Sequence, residues 1–185
     1  MLPDLHHYYD ESTGPFCNLS DLEQGEAERI LADFRLRNRG FAAKRPPDYM
    51  TVRRELERQA RELFMHQGGT PVRMHPHYMT LGPCPWLLEW YGDGRQLSIP
   101  VAAFDPATIS FTYGDLFPTM RYRDGKPYRG KVYTLEGIEA LVREFGFPQE
   151  WNPAGNFGPE RYIEAQVWDD APLRPFVAGR NPPRY

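Results

Sequence analysis

The chain has 185 residues, 41% of them apolar and 14% aromatic, enough for one hydrophobic core, and a single domain over 1–185 is expected. Its 22 Lys and Arg stand against 25 Asp and Glu, so no overall field draws it to nucleic acid or to an anionic membrane, and any nucleic-acid contact has to be local. It opens without a basic n-region, and no run approaches the roughly 18 apolar residues of a membrane span. Cys17 and Cys84 stand far apart without a CxxC pattern. These features read as a cytoplasmic protein with free thiols and no membrane contact, disulfide framework or zinc site.

In chain order, 4–9 predicts an opening strand and 11–18 a turn-rich loop. Ser20 and Glu23 form a capping box for a first helix, with Leu22, Ala27, Ile30, Leu31 and Phe34 at helical spacing as far as Gly40. A second helix is expected over 48–66, stopped by Gly68 and Gly69, with the Arg- and Glu-rich stretch 53–62 as its solvated face. Three short strands follow at 77–81, 96–101 and 108–113, then a long loop over 114–130. Thr134 is placed to cap a third helix that Gly146 and Pro148 end. The loop 151–159 leads to a last strand over 161–168, and 169–185 reads as a Pro-rich tail. Strand, two helices, several strands, helix and strand make an α+β chain.

The last strand carries the most chemical information. Ile163, Ala165 and Val167 share one face, and Tyr162, Glu164, Gln166 and Trp168 the other. A carboxylate on such a strand either meets water on a solvated face or lines a cleft where a ligand meets it. Histidines come in two close pairs, His6 with His7 and His75 with His77. The second pair, with a carboxylate such as Glu164, has usable metal geometry, although no HExxH-like spacing supports it and no metal is expected. No GxGxxG, GxxxxGK[ST] or GxSxG occurs. Glu150, Glu160 and Glu164 are close enough in sequence to leave a glycosidase pair open. The loop 114–130 interleaves Arg121, Arg123, Lys126 and Arg129 with Phe117, Tyr122 and Tyr128, a pattern suited to an unpaired nucleic-acid strand.

Taken together, His77 to Leu88, Ser110-Phe-Thr-Tyr-Gly-Asp115, and Tyr162-Ile-Glu-Ala-Gln-Val167 followed by Ala171-Pro-Leu173 resemble, in order, segments of the DarT-type DNA ADP-ribosyltransferase toxins. The likeness runs from about 75 to 173, with a looser match of His6-His7 to that family's N-terminal histidine strand. It departs at Leu81-Gly-Pro-Cys-Pro85, where an Arg-Ser-Pro element is expected, and at Phe111-Thr-Tyr-Gly114, in place of FTDG. The resemblance implies an ADP-ribosyltransferase-like α+β fold, two small antiparallel sheets forming a cleft with helices packed around them, and NAD as substrate. It implies Glu164 as the catalytic carboxylate. His6 or His7, Tyr9 or Tyr78, and Arg45 or Arg73 would hold NAD, and Tyr113, Asp115, Arg121 and Arg123 would meet a single-stranded nucleic-acid acceptor. An antitoxin would be the partner. Two other readings stand beside it: a catalytically silent nucleotide- or protein-binding module of the same fold, and a metal-dependent enzyme using His75, His77 and a carboxylate.

Overall fold

Short runs of β-branched and aromatic residues bounded by Gly, Pro and Asp form five strands: β1 (Leu5–Asp10), β2 (His77–Leu81), β3 (Gly94–Ile99), β4 (Ile109–Tyr113) and β5 (Ile163–Val167). The helices are α1 (Gln24–Leu36), α2 (Tyr49–His66), α3 (Leu116–Arg121), α4 (Leu135–Phe145), α5 (Pro148–Trp151) and α6 (Arg174–Val177). The computed structural model describes residues 2–37 and 40–177. Of the tail expected over 169–185, only the part up to 177 lies within the described residues, and it holds a 3-10 turn and α6.

The strands form one antiparallel sheet in the order β3-β1-β2-β5-β4, which corrects the expectation of two small sheets. β1 is long enough to use both edges. It pairs with β3 along its length and with β2 through Leu5–Leu81 and His6–Thr80, so it joins what would otherwise be two halves. The join is short, because beyond His6 the His7 ring, through Nδ1, takes the Tyr78 carbonyl at 2.9 Å.

Strand alternation sends Leu5, Met79, Ile99, Phe111 and Ala165 to one face, where they close over Ile138 of α4 in the largest core cluster. Over β4 and β5 the opposite face is not solvated. Every residue of β5 is buried, and Trp168 just beyond it packs with Leu56, Ala60 and Phe64 of α2 and with Leu116 and Met120 of α3. The polar groups on this face satisfy one another: Trp168 Nε1 donates to Ser110 Oγ at 2.9 Å, Ser110 Oγ to Gln166 Oε1 at 3.0 Å, and Gln166 Nε2 to Thr112 Oγ1 at 3.0 Å. α1 lies outside this layer, its Ala27 and Leu31 against Tyr49 and Met50.

Two local expectations change for long-range reasons. The Ser20–Glu23 capping box does not form: Asn18 caps a 3-10 turn over Leu19–Asp21, and the Ser20 hydroxyl donates to Glu57 at 3.0 Å. Along α2, Arg58 pairs with Glu55 and Glu62 in the open as expected, but Glu57 is wholly buried. Thr134 does cap α4, accepting the Gly137 N–H at 3.2 Å.

Candidate functional site

The register sets a row of side chains across the second face of the sheet: Ser98 of β3, His6 of β1, Thr80 of β2, Glu164 of β5 and Thr112 of β4 occupy successive opposed positions. Glu164 lies in the wall of a cavity of about 1040 Å³, at the upper end of ligand-pocket sizes of roughly 300–1,000 Å³. Arg45, Tyr49 and Arg53 line it from α2 and the segment before it, Trp90 and Tyr91 from the turn before β3, Asp115, Leu116 and Phe117 from the start of α3, and Arg121 from its end.

Glu164 is 9% exposed. Its Oε1 accepts the Leu116 N–H at 3.1 Å and lies 3.4 Å from Gln166 Nε2, while Oε2 makes no hydrogen bond among the described residues. Burial first, and the neighbouring Asp115 charge second, push this carboxyl up to about 8. Asp115 stands at the N-cap of α3 without capping it, and pairs instead with Arg161. Arg161 in turn lies 5.0 Å from the Trp90 ring centroid and 5.6 Å from that of Trp86. Gly155, at φ +64°, rests so closely on the Trp86 indole that a Cβ there would overlap it. Burial raises Asp115 as well, against the pull of Arg161 and the nearby Tyr162 hydroxyl.

A second buried cluster braces the cavity from behind. Glu57 accepts from Arg53 Nε at 2.8 Å, the Tyr78 hydroxyl at 2.8 Å and Ser20, and its Oε2 lies 2.8 Å from His75 Nδ1. Burial alone would raise Glu57, but Arg53, with the hydrogen bonds from His75 and Tyr78, holds it down at about 2. Arg53 also donates to Asn18 Oδ1 at 2.9 Å and lies 4.9 Å from the Tyr78 ring centroid.

Among the residues expected to hold NAD, His6, His7, Tyr9, Tyr78 and Arg45 line the cavity. His6 shares the Glu164 face, and its Nδ1 is buried without a hydrogen bond. His7 points to the other face with both nitrogens engaged, Nδ1 with the Tyr78 carbonyl and Nε2 accepting the Phe16 N–H at 2.9 Å. Burial lowers it to about 4, so it is neutral, and it holds Phe16 at a φ of +59°. That choice between the two histidines could not be made from alternation alone. Tyr9 lies near His7, the ring centroids 5.8 Å apart. The Tyr78 hydroxyl and one ring face are taken by Glu57 and Arg53. Arg45 stacks 4.0 Å from the Tyr49 centroid and has no carboxylate within 4.0 Å among the described residues.

Arg73 is a correction: it lies outside the cavity, bridging Asp170 at 2.6 Å and Asp21, because the chain before β2 turns toward the 169–171 segment. Of the expected acceptor residues, Asp115 and Arg121 reach the cavity, whereas Tyr113 and Arg123 do not. Tyr113 is on the α4 face, its hydroxyl donating to the Gly146 carbonyl at 2.9 Å, and Arg123 turns back to the Met120 carbonyl at 3.2 Å. Lys126 and Arg129 are likewise spent on the buried Glu160, which leaves that carboxylate no catalytic pairing with Glu164 in view. His75 and His77 engage different carboxylates, Glu57 and Asp170.

Sequence reasoning missed Arg53, Glu57 and Arg161. The signal for the first two was present: Arg53, Glu57, Ala60 and Phe64 are spaced four, three and four apart, on the stripe that α2 buries. Nothing local marked Arg161, whose partners Asp115, Trp86 and Trp90 come from elsewhere in the chain. Comparison with protein-family models, with curated proteins and with solved structures finds no match for this chain.

Proposed function

We propose that the chain is an NAD-dependent ADP-ribosyltransferase with an ADP-ribosyltransferase-like fold, Glu164 its catalytic carboxylate and a single-stranded nucleic acid its acceptor. The observation that carries this reading is the company Glu164 keeps. A nearly buried carboxylate with a free oxygen faces a cavity large enough for a dinucleotide, whose walls supply aromatic rings and an arginine without a carboxylate partner.

That donor set fits NAD group by group. Arg45 suits the pyrophosphate, and its neighbours Tyr49, Phe117, Trp90 and Tyr91 offer flat surfaces to the two bases. His6, with a buried ring nitrogen still unpaired, has a hydrogen bond to give a ribose. Glu164 is held by the Leu116 amide against the sheet, so its second oxygen meets the sugar where positive charge develops as the glycosidic bond to nicotinamide lengthens. A cation placed there favours the ionised carboxylate, so binding draws the proton from a group that burial keeps protonated in the free protein. At the mouth, Arg121 and the half-exposed Tyr122 offer a cation and a ring to the acceptor strand. An antitoxin protein that closes this mouth is the partner such an activity calls for.

Nicotinamide release from NAD by wild type and Glu164→Ala, each with and without mixed single-stranded DNA or RNA, tests the reading. Release that depends on Glu164 and rises with one nucleic acid supports it and names the acceptor. No release and no NAD binding by folded wild type would remove it in favour of a binding module.

A further inference from the structure

The cavity wall holds a second carboxylate with an unused oxygen. Asp115 Oδ2 is taken by Arg161, but Oδ1 is buried and has no hydrogen-bond partner. Leaving a buried acceptor unpaired costs about 1–3 kcal/mol, so such an atom on a residue that lines a cavity is a place for a donor from a ligand. The position is tightly fixed. Asp115 precedes Leu116, whose N–H holds Glu164, and the Arg161 that grips it is three residues before Glu164 and stacked on Trp86 and Trp90. The two carboxylates are thus set side by side by one strand end and one helix start, each with one oxygen anchored and one free.

We propose that Asp115 is a second catalytic carboxylate of this centre, its free Oδ1 accepting the hydrogen of the attacking nucleophile while Glu164 faces the sugar, with Arg161 as its positioning residue. The inference rests on the NAD-cleaving reading of the site. In the step, the nucleophile's oxygen bonds to the ribose anomeric carbon and its proton passes to Asp115. The carbon–nitrogen bond to the pyridinium ring breaks, its electron pair leaving with neutral nicotinamide. Dividing the work suits the two environments. Arg161 keeps Asp115 able to remain a base, whereas Glu164 has no cationic partner within 4.0 Å among the described residues until a cationic sugar arrives.

The test is turnover of NAD by wild type, Asp115→Asn, Asp115→Glu and Glu164→Gln, in water and with added azide, a nucleophile with no proton to remove. NAD affinity and thermal melting are measured on each. We expect Asp115→Asn to lose about 10²–10³-fold in nicotinamide release to water. NAD affinity should stay within about threefold, and azide should restore release to within about tenfold of wild type with an ADP-ribosyl azide product. It should not restore Glu164→Gln. Asp115→Glu keeps the charge that pairs Arg161 and displaces the oxygen by a methylene, so it should melt like wild type yet lose about tenfold in water. Wild-type rates in both Asp115 variants would overturn this inference and leave the transferase reading standing, as would Asp115→Asn that binds NAD but gains nothing from azide. Absence of release from folded wild type would overturn both together.

Discussion

Replacing Glu164 by Gln should stabilise the fold, and by more at high pH than at low. In the folded chain burial and Asp115 raise this carboxyl from 4.5 to about 8. Below pH 4.5 both folded and unfolded states are protonated and nothing is lost. As pH rises from there, the unfolded chain gives up the proton while the fold retains it, so stability falls until the folded group also ionises near 8, and is then level. The full displacement corresponds to about 5 kcal/mol, and the part falling between pH 5 and 9 to about 4 kcal/mol. Gln has the shape of the protonated acid, and its amide oxygen can still accept the Leu116 N–H, so the variant escapes the penalty without opening a cavity. Urea unfolding of wild type and Glu164→Gln at pH 5, 7 and 9 reads the effect of Glu164 with its neighbour Asp115, because titrating groups remote from the pair cancel in the difference. The variant's advantage should grow from about 1 kcal/mol at pH 5 to about 5 kcal/mol at pH 9. A difference that stays constant over this range would mean that Glu164 ionises as it would in water, and the reasoning from its burial would be refuted.

Glu57→Gln leaves Arg53 buried without its counter-charge and should cost about 3–5 kcal/mol, read as a lower midpoint in urea. Arg45→Ala should weaken NAD binding about tenfold by calorimetry with little change in melting temperature, since Arg45 forms no ion pair within the described residues. Arg73→Ala should do the reverse, lowering the melting temperature by releasing Asp21 and Asp170 while NAD affinity is unchanged; a loss of affinity there would place the anion site elsewhere. Gly155→Ala combines a positive φ with overlap on Trp86, so about 2 kcal/mol or more should be lost in thermal melts.

Elements whose signals are local were legible. Thr134 caps α4 because its partner is the Gly137 amide in the same turn, and β5 was visible from the alternation of Ile163, Ala165 and Val167. Signals that depended on a distant partner misled. Ser20 has the form of a capping residue, yet its hydroxyl serves Glu57, and Glu57 reads as surface in an Arg- and Glu-rich helix until the layer above it is known. α3 was hidden in the loop 114–130 because six residues with a proline carry little periodicity.

What the sequence by itself determined is the kind of chain: an α+β chain whose last strand presents Glu164 opposite an apolar face. Only the tertiary structure decided which histidine shares the Glu164 face of the sheet, that one sheet and not two carries it, and that Asp115 with Arg161, and not Tyr113 or Arg73, lines the same cavity. The reason is that strand alternation and helix period act within a few residues. The environment of a carboxylate is set by backbone amides, rings and charges brought from across the chain, here from Leu116, Trp86, Trp90 and Arg53.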